Sequence, residues 1–441
     1  MRYFFLLNLR TYGIKNIEEP VEFSFYKKTI NKNFNPENYK IKGIYGENGS
    51  GKTAVVTAVK ILRSLIFDKD YLYDSITQRN LSELINKKTK AGLIEVEFMS
   101  NAEGQEDIFH YRIGFGTGKE DRISISNELL EVKKGTASKN IYKKIYETQN
   151  GDLIYFGDET HYPYFKDETQ NLLTQRSFAS FVMDFITQEN KKRIGIELLR
   201  VLTLYVFSLS LNVFLDQADD HRNYIHQVLI SELDERKLEE SVEIINAARE
   251  AEINASRERI IPKNYYDKYH KNVSRLCAFI QLFKPDLQNI QIDAKDFGEY
   301  YQCRLVMVYK DYTIDSEYES NGIKKLMNLF NYLDSACSGA ITFIDEMDSN
   351  INDIYLNKII EYFIEYGEGQ LCFTAHNLSP MAILKKNKLS ISFLSSINTV
   401  HTWTSNGNQT PENAYKDGFI EDSPFNVDAS DFLGILGEDN E

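Results

Sequence analysis

The chain contains few cysteines, which cross-link a fold, and few prolines, which interrupt helices and strands. Its 441 residues include only 8 prolines and 4 cysteines, and no two cysteines form a C-x-x-C pair. A disulfide framework or a cysteine-ligated zinc site is therefore not expected, and reduced thiols in a cytoplasm are the natural setting. Internal repeats and low-complexity tracts are also lacking. A hydrophobic content of 42% predicts a well-packed globular protein instead.

Long apolar runs and an excess of basic residues are lacking too. The segment nearest to a membrane span, residues 198–215, is broken by Arg200, Thr203 and Asn212. It predicts a buried helix, so no membrane partner is expected. Lysine and arginine total 51 against 65 acidic residues, which gives a net charge of −14. This balance argues against a simple cationic nucleic-acid-binding protein, although a local basic groove is compatible with it.

What the sequence does contain is a phosphate-binding pattern, G-x-x-x-x-G-K-[ST], at residues 46–53. Lys52 is expected to reach the β- and γ-phosphates of a nucleotide, and the Thr53 hydroxyl to bind Mg²⁺. The loop residues expected to surround the phosphates with backbone N–H groups are Asn48, Gly49, Ser50 and Gly51. The segments on either side support this interpretation, because residues 40–45 predict a strand and residues 53–67 predict a helix whose N-terminus faces the phosphates. The pattern therefore predicts binding of a nucleoside triphosphate with Mg²⁺.

Two adjacent carboxylates follow a second apolar strand. Residues 341–344 predict a buried strand, and Asp345 and Glu346 come directly after it. Ligands of open α/β sheets bind at the carboxyl ends of the strands. We therefore expect Asp345 to hold Mg²⁺ through its waters, and Glu346 to orient and deprotonate the water that attacks the terminal phosphate. The alternative is a strand end with two solvated acids.

Three further polar features complete the pattern. His376 follows another apolar strand, where a histidine is placed to contact the terminal phosphate. Ser320 and Gly322 lie in a polar turn that leads into a helix, and a hydroxyl with helix N-terminal amides makes an anion site. Asp348 lies just past the acidic pair. Each has a simpler explanation when taken alone: a core histidine, a helix N-cap or a solvated loop acid.

Together these motifs resemble the head domain of ABC-type ATPases, in particular the SMC-like branch. Within that branch the chain is most similar to compact bacterial ATPases of abortive-infection and other phage-defence systems. Their motif E-S-x-G-T-K-K-L resembles residues 319–326, I-D-E-I-D-S-x-L-H resembles residues 344–352, and T-x-H-N resembles residues 374–377. Ile323 departs from the pattern, as do the last two positions of the second motif. The resemblance covers about residues 1–115 and 286–425.

The resemblance implies an α/β fold of three parts. Residues 1–170 are expected to form the first part of an ABC-ATPase-like head, with a mixed sheet around the phosphate loop and an antiparallel β subdomain. Residues 171–285 are expected to be a large helical insertion, and residues 286–441 the rest of the head. Within the insertion, the highly charged residues 229–260 predict a protruding helix, half of a small coiled coil, or one solvated helix face.

The resemblance also implies a site shared between two copies of the chain. The residues expected from one protomer are Lys52, Thr53, Asp345, Glu346 and His376. A second protomer is expected to supply Ser320 and Gly322 to the same γ-phosphate, so the complete site forms only in a dimer or larger homo-oligomer. Arg10 is a further candidate for a phosphate contact, and the alternative for it is a surface salt bridge.

Three functions are compatible with these features. The first is an ATPase switch, the sensor or regulator of an anti-phage system, which controls a separate effector or toxin protein. The second is a DNA-repair ATPase that binds duplex DNA; its candidate contacts are Lys133–Lys134, Lys143–Lys144 and residues 191–193. The third is an ATP-bound scaffold with negligible turnover. The long separation between Lys52 and Glu346 argues against a transporter subunit.

Overall fold

The computed structural model of the protein describes residues 4–26, 34–102, 105–118, 121–135, 141–189, 195–215, 259–404, 409–421 and 423. Within these ranges the strands are β1 (Phe4–Tyr12), β2 (Val21–Ser24), β3 (Ile41–Tyr45), β4 (Ala91–Ala102), β5 (Gln105–Thr117), β6 (Ile123–Lys134), β7 (Lys143–Gln149), β8 (Asp152–Phe156), β9 (Leu211–Phe214), β10 (Arg259–Pro262), β11 (Leu287–Asp296), β12 (Tyr300–Tyr309), β13 (Thr313–Asp315), β14 (Ile341–Ile344), β15 (Gln370–Thr374), β16 (Ile391–Leu394) and β17 (Val400–Thr402). Short 3₁₀ turns aside, the helices in the same ranges are α1 (Lys52–Phe67), α2 (Ser75–Leu84), α3 (Tyr162–Glu168), α4 (Phe178–Glu189), α5 (Ile196–Ser210), α6 (Tyr266–Gln281), α7 (Asn321–Cys337), α8 (Asp353–Tyr366), α9 (Met381–Leu384) and α10 (Pro411–Lys416).

A six-stranded sheet carries most of the residues singled out in the sequence. Its strand order is β17-β16-β3-β15-β14-β9, and all neighbours run parallel except β17, which is antiparallel to β16. Strands β3, β14 and β15 are buried along their whole length. A parallel sheet covered on both faces demands such continuous burial, which explains their mostly apolar sequences. The carboxyl ends of these three strands lie side by side at one edge of the sheet.

A seven-stranded antiparallel sheet has the order β2-β1-β4-β5-β6-β7-β8. Strands β4 and β5 form the long hairpin that the alternating sequence predicts. Along the start of β6, Ile123 and Ile125 are buried whereas Ser124 and Ser126 are not. This alternation is typical of a sheet with one face against the core and the other toward solvent.

A smaller antiparallel sheet lies before α7. Its order is β10-β12-β11, and the short strand β13 pairs with the other part of β12. Strands β11 and β12 pair over most of their length, with an irregularity near Leu287. Because β13 leads through a 3₁₀ turn directly into α7, this sheet fixes where α7 begins.

Two apolar cores cover the two faces of the six-stranded sheet. The first core joins the seven-stranded sheet, α1, α4 and α5 to one face, where Phe343 and Cys372 lie. The second joins α6, α7, α8 and the smaller sheet to the other face, where Ile344 and Phe373 lie. All four cysteines are free thiols. The six-stranded sheet is therefore held between two packed layers, and the loops at the ends of its strands are where polar groups can lie.

The structure confirms the predicted strand and helix around residues 46–53 and the predicted strand at residues 341–344. The prediction of one buried helix over residues 198–215 is wrong. The helix α5 ends at Ser210, and Leu211–Phe214 forms β9 instead, in parallel register with Ile341–Ile344. This apolar segment pairs with β14 instead of continuing the helix, so its tertiary neighbours decide its secondary structure.

The range 171–285 contains α4, α5 and α6 together with β9 and β10, so it is not helical throughout. The division into three parts stays a prediction. Residues 216–258 are outside the described residues, and so is almost all of the charged segment 229–260. In the described part of the chain, no helix combines the length and the apolar character that crossing a membrane requires.

Candidate functional site

The loop between β3 and α1 has the backbone of a phosphate-binding turn. Gly49 and Gly51 have φ angles of +83° and +109°, which residues with a side chain rarely adopt. At Gly46 a Cβ would lie 2.3 Å from the carbonyl oxygen of Leu394. No described side chain caps α1, so the N–H groups of its first turn face the loop without a side-chain acceptor. The loop thus offers a concentrated set of backbone donors.

Two side chains add donors to this loop. The Lys52 side chain is almost fully buried, and its ammonium donates to the carbonyl oxygens of Gly46 at 2.8 Å and Glu47 at 2.9 Å. Burial lowers the pKa of Lys52, and the nearby carboxylates, Asp345 first among them, oppose this shift. The Ser50 hydroxyl is buried and forms no hydrogen bond with any described residue. A phosphate group fits such a set, because it would accept from both side chains.

The turn after β1 supports the outer side of the loop. The Asn16 side-chain amide donates to the carbonyl oxygen of Gly49. A Cβ on Gly51 would lie 3.1 Å from the Ile17 side chain, so the glycine also permits close packing here. The sequence gives no sign of the role of Asn16, because a contact across more than thirty positions leaves no local pattern.

At the end of β14, Asp345 is held in place by neighbouring strands. Its side chain is only 4% exposed and accepts a hydrogen bond of 2.5 Å from the Thr374 hydroxyl. Its backbone N–H donates to the carbonyl oxygen of Phe214 at 2.8 Å. Thr374 ends β15, the strand next to β14, so the parallel register sets this contact. Asp345 is therefore a fixed carboxylate close to the loop.

Glu346 adopts a left-handed backbone conformation with a φ angle of +46°. Such a conformation is costly for a residue with a side chain, and it persists where the surroundings hold it. The Glu346 N–H donates to the same Thr374 hydroxyl at 2.8 Å, so one hydroxyl binds both acids. The Glu346 side chain is half exposed, and its carboxylate lies 4.0 Å from Nε2 of His376. This carboxylate is far more exposed to solvent than that of Asp345.

Asp348 fixes the segment that carries His376. One oxygen of its carboxylate accepts from the backbone N–H groups of His376 at 2.8 Å and Asn377 at 2.7 Å. The other oxygen is buried and has no hydrogen-bond partner among the described residues. Asp348 thus positions backbone rather than ligand, and it keeps His376 beside Glu346.

Ser320 and Gly322 lie at the start of α7. Ser320 is the N-cap of this helix, and its hydroxyl accepts from the N–H of Ile323 at 3.3 Å. Glu319 supports the turn, since its carboxylate accepts from the Tyr309 hydroxyl at 2.5 Å and from the Ser320 N–H at 3.0 Å. A Cβ on Gly322 would meet its nearest described neighbour, Asn350, at 3.9 Å, so packing against the described residues does not require glycine there.

Lys325, in the second turn of α7, lies beside these residues, and no motif in the sequence predicts a role for it. Its ammonium donates to the Glu346 carbonyl oxygen at 2.8 Å and also contacts the Ser349 hydroxyl. Burial lowers the pKa of Lys325, and the three carboxylates of residues 345–348 oppose this shift. The doubled lysine in the motif at residues 319–326 was the only signal for it.

The other predicted contacts are less central. Arg10 lies on β1 and forms an ion pair of 3.7 Å with Glu95, the surface contact named above as its alternative. Lys133 pairs with Glu97, and Lys143 pairs with Glu197, so acidic partners already neutralise these basic residues. Residues 191–193 are outside the described residues.

The described side chains fit a magnesium ion that takes most of its ligands from phosphates and waters. Among the described residues no group of three or more His, Cys, Asp or Glu side chains could hold a metal ion. Mg²⁺ usually binds through one or two protein oxygens together with substrate phosphates and waters. The Thr53 hydroxyl at the start of α1 and the fixed carboxylate of Asp345 are oxygen ligands of this kind.

No protein-family model and no curated protein matches the sequence. Two solved structures similar to the chain are SMC head domains. The Smc head domain of Pyrococcus furiosus, with an extended coiled coil and bound to the C-terminal domain of ScpA, is 15% identical with a TM-score of 0.42, over 91% of this chain and 96% of that chain. The Smc head domain of Pyrococcus yayanosii, with a coiled coil and joint, is 12% identical with a TM-score of 0.44, over 91% of this chain and 97% of that chain.

Proposed function

We propose that the chain is an ATPase that binds Mg-ATP at the loop between β3 and α1 and hydrolyses it with Glu346. One observation carries the proposal: a glycine-rich loop, a buried lysine and two different carboxylates meet at the edge of one parallel sheet. The carboxylates of Asp345 and Glu346 both oppose the lowering of the Lys52 pKa, so their charges act on the Lys52 ammonium, which supports this grouping. Such a combination suits phosphoryl transfer, which depends on positioning and on charge stabilisation.

Binding would exchange contacts within the loop for contacts with phosphate. The Lys52 ammonium, now bonded to the carbonyl oxygens of Gly46 and Glu47, would bind β- and γ-phosphate oxygens instead. The Ser50 hydroxyl would gain the partner that it lacks among the described residues. Hydrogen bonds between ionised groups are about twice as strong as neutral ones, so this exchange favours the nucleotide.

Thr53 and Asp345 would hold Mg²⁺, and the ion would neutralise charge on the phosphate oxygens. Asp345 suits this task because its carboxylate is held by a hydrogen bond of 2.5 Å from the Thr374 hydroxyl. Glu346, whose carboxylate is half exposed, would accept a proton from the attacking water. His376 lies 4.0 Å from that carboxylate and would contact the terminal phosphate from the same side.

We further propose that a second copy of the chain completes the site. Among the described residues a Cβ on Gly322 would make only an ordinary contact, at 3.9 Å from Asn350, and a glycine that this packing does not require suits close approach by another molecule. Ser320 is exposed at the N-terminus of α7, where its hydroxyl and the helix amides would reach a γ-phosphate bound by the partner. ATP would then hold the dimer together, and hydrolysis would release it.

The motif resemblance supports a role as the sensor or regulator of an anti-phage system with a separate effector protein. DNA repair remains the alternative function, but it loses support because Lys133 and Lys143 are paired with acidic residues. Non-specific DNA binding requires lysines and arginines that are free to neutralise phosphates.

Steady-state Mg-ATP hydrolysis by the wild type and by Glu346→Gln, with and without duplex DNA, tests the ATPase proposal. We expect the wild type to hydrolyse ATP, and the variant to bind ATP but to turn it over at least about a hundredfold more slowly. Glu365→Gln, on the exposed side of α8, is the matched control and should behave as the wild type. Stimulation by DNA would favour the DNA-binding alternative. Equal turnover in the wild type and Glu346→Gln would refute the assignment of Glu346, and no turnover under any condition would favour the scaffold.

A further inference from the structure

The left-handed backbone of Glu346 is held from two sides. On one side the Thr374 hydroxyl accepts from the Glu346 N–H at 2.8 Å, and the Thr374 carbonyl oxygen accepts from the Met347 N–H at 3.0 Å. On the other side the Lys325 ammonium donates to the Glu346 carbonyl oxygen at 2.8 Å. A residue with a side chain needs such support to stay in the left-handed conformation, because that conformation is unfavourable by itself.

The contact of Lys325 is with a tight turn and not with a flexible loop. The Ser349 N–H also donates to the Glu346 carbonyl oxygen, at 3.0 Å, and closes the turn of residues 346–349. Lys325 binds both that carbonyl oxygen and the Ser349 hydroxyl. The ammonium therefore spans the two ends of the turn that begins at Glu346.

Lys325 belongs to the helix that presents Ser320. The two residues are five positions apart, about 1.4 turns of helix, so a movement of one moves the other with it. The neighbouring Lys324 points elsewhere, since its ammonium donates to the Glu317 carbonyl oxygen at 3.4 Å in an exposed position. Of these two adjacent lysines, it is Lys325 whose ammonium contacts the turn of Glu346.

We propose that Lys325 is a positioning residue that couples the Ser320 turn to the orientation of the Glu346 carboxylate. The proposal rests on the proposed ATPase function. When a partner's nucleotide contacts the Ser320 turn, α7 takes one defined position, and Lys325 then holds the Glu346 peptide in the orientation that hydrolysis needs. Lys325 itself touches neither the substrate nor the attacking water.

The test compares Lys325→Met with Lys325→Arg, and uses Lys324→Met as the matched control. Mg-ATP hydrolysis gives kcat and KM, equilibrium titration with a fluorescent ATP analogue gives Kd, and thermal melting shows whether each variant is folded. We expect Lys325→Met to lower kcat roughly ten- to a hundredfold, because small misplacements of a catalytic group have effects of this size. KM and Kd should stay within about twofold, since nucleotide binding does not use Lys325. Lys325→Arg keeps the donor and should restore most of kcat, and Lys324→Met should behave as the wild type.

Each other outcome identifies what has failed. Turnover that requires Glu346 but is the same in Lys325→Met and Lys324→Met overturns the coupling and leaves the ATPase proposal intact. A fall in kcat that Lys325→Arg does not restore also overturns the coupling. So does an equal fall in kcat and in melting temperature in Lys325→Met and Lys324→Met. Turnover that is absent in the wild type, or is independent of Glu346, overturns the ATPase function and this proposal with it.

Discussion

At the scale of single residues, the Thr374 hydroxyl organises the two adjacent carboxylate residues, Asp345 and Glu346. It donates to Asp345 at 2.5 Å and accepts from the Glu346 N–H at 2.8 Å. One acid is thereby buried and fixed as an expected metal ligand, while its neighbour keeps a half-exposed carboxylate for a water molecule. Two adjacent acids thus acquire different environments, which is how a site divides different chemical tasks between like groups.

A second residue-scale feature is the buried carboxyl group of Glu128 on β6. It is fully buried and accepts from the Tyr111 hydroxyl at 2.7 Å and from the Phe178 N–H, at the start of α4, at 2.9 Å. Burial raises the pKa of Glu128 from its ordinary value of 4.5 to about 7, although these hydrogen bonds act in the opposite direction. The folded protein therefore binds the Glu128 proton more tightly than the unfolded chain does.

This pKa shift predicts a pH dependence of stability. As pH rises from about 4.5 to about 7, Glu128 should lower the free energy of unfolding by up to about 3 kcal/mol, with no further change at higher pH. Glu128→Gln removes the titrating group, so the variant should lack this decrease. Urea unfolding of both proteins between pH 5 and pH 8 measures the difference, and Glu365→Gln serves as an exposed control. The same pH dependence in the wild type and Glu128→Gln would contradict the prediction.

At the scale of elements, the loop between β3 and α1 shows why its glycines are not equivalent. A Cβ on Gly46 would lie 2.3 Å from the Leu394 carbonyl oxygen and 2.7 Å from the Ser50 hydroxyl. A Cβ on Gly49 would meet no described atom within 4 Å, and its positive φ angle of +83° is the only obstacle to a side chain. The first glycine is required by contacts between elements, and the second by local backbone conformation.

We therefore expect Gly46→Ala to be the more damaging of two similar changes. It must displace the loop from β16, so it should abolish binding of a fluorescent ATP analogue and lower the free energy of unfolding by about 1–3 kcal/mol. Gly49→Ala should cost about 1–2 kcal/mol from backbone strain alone and should retain measurable binding. Titration and urea unfolding of both variants test this order. Equal loss of binding in the two variants would show that steric contact with Leu394 is not what makes Gly46 necessary.

At the scale of the whole molecule, the site within one chain is incomplete in the proposed function. Lys52, Asp345 and Glu346 lie at one edge of the six-stranded sheet, whereas Ser320 is exposed at the start of α7, where it caps the helix of its own chain. An exposed turn that offers helix N-terminal amides is suited to an anion from another molecule. Dimer formation would thus depend on nucleotide.

Assembly can be measured directly with the slow variant. Glu346→Gln with Mg-ATP should sediment with the mass of two chains, and with ADP it should sediment with the mass of one. Gly322→Leu in the same background should prevent the dimer and keep ATP binding, because its side chain would fill the space left for the partner's nucleotide. Ser338→Leu, exposed at the other end of α7, is the control and should still form the dimer. A dimer that persists in Gly322→Leu, or that is independent of nucleotide, would contradict the shared site.

The sequence by itself determined the parts of the molecule whose signals are local. The strand before residues 46–53 and the helix after them are confirmed because glycine spacing and apolar periodicity act over neighbouring residues. The same holds for β14, for the hairpin of β4 and β5, and for the position of Asp345 and Glu346 at a strand end. The roles proposed for these residues came from the motif, and they await the experiments above.

Only the tertiary structure decided the contacts between distant segments. Leu211–Phe214 continues the apolar run of α5 but forms a strand, because β14 offers a parallel partner. Asn16, Thr374 and Lys325 reach the site from 33, 29 and 21 positions away along the chain. Local propensity is weak compared with the packing and hydrogen bonding that tertiary partners supply. The sequence therefore reveals which groups can do the chemistry, whereas the fold decides which side chains hold them in place.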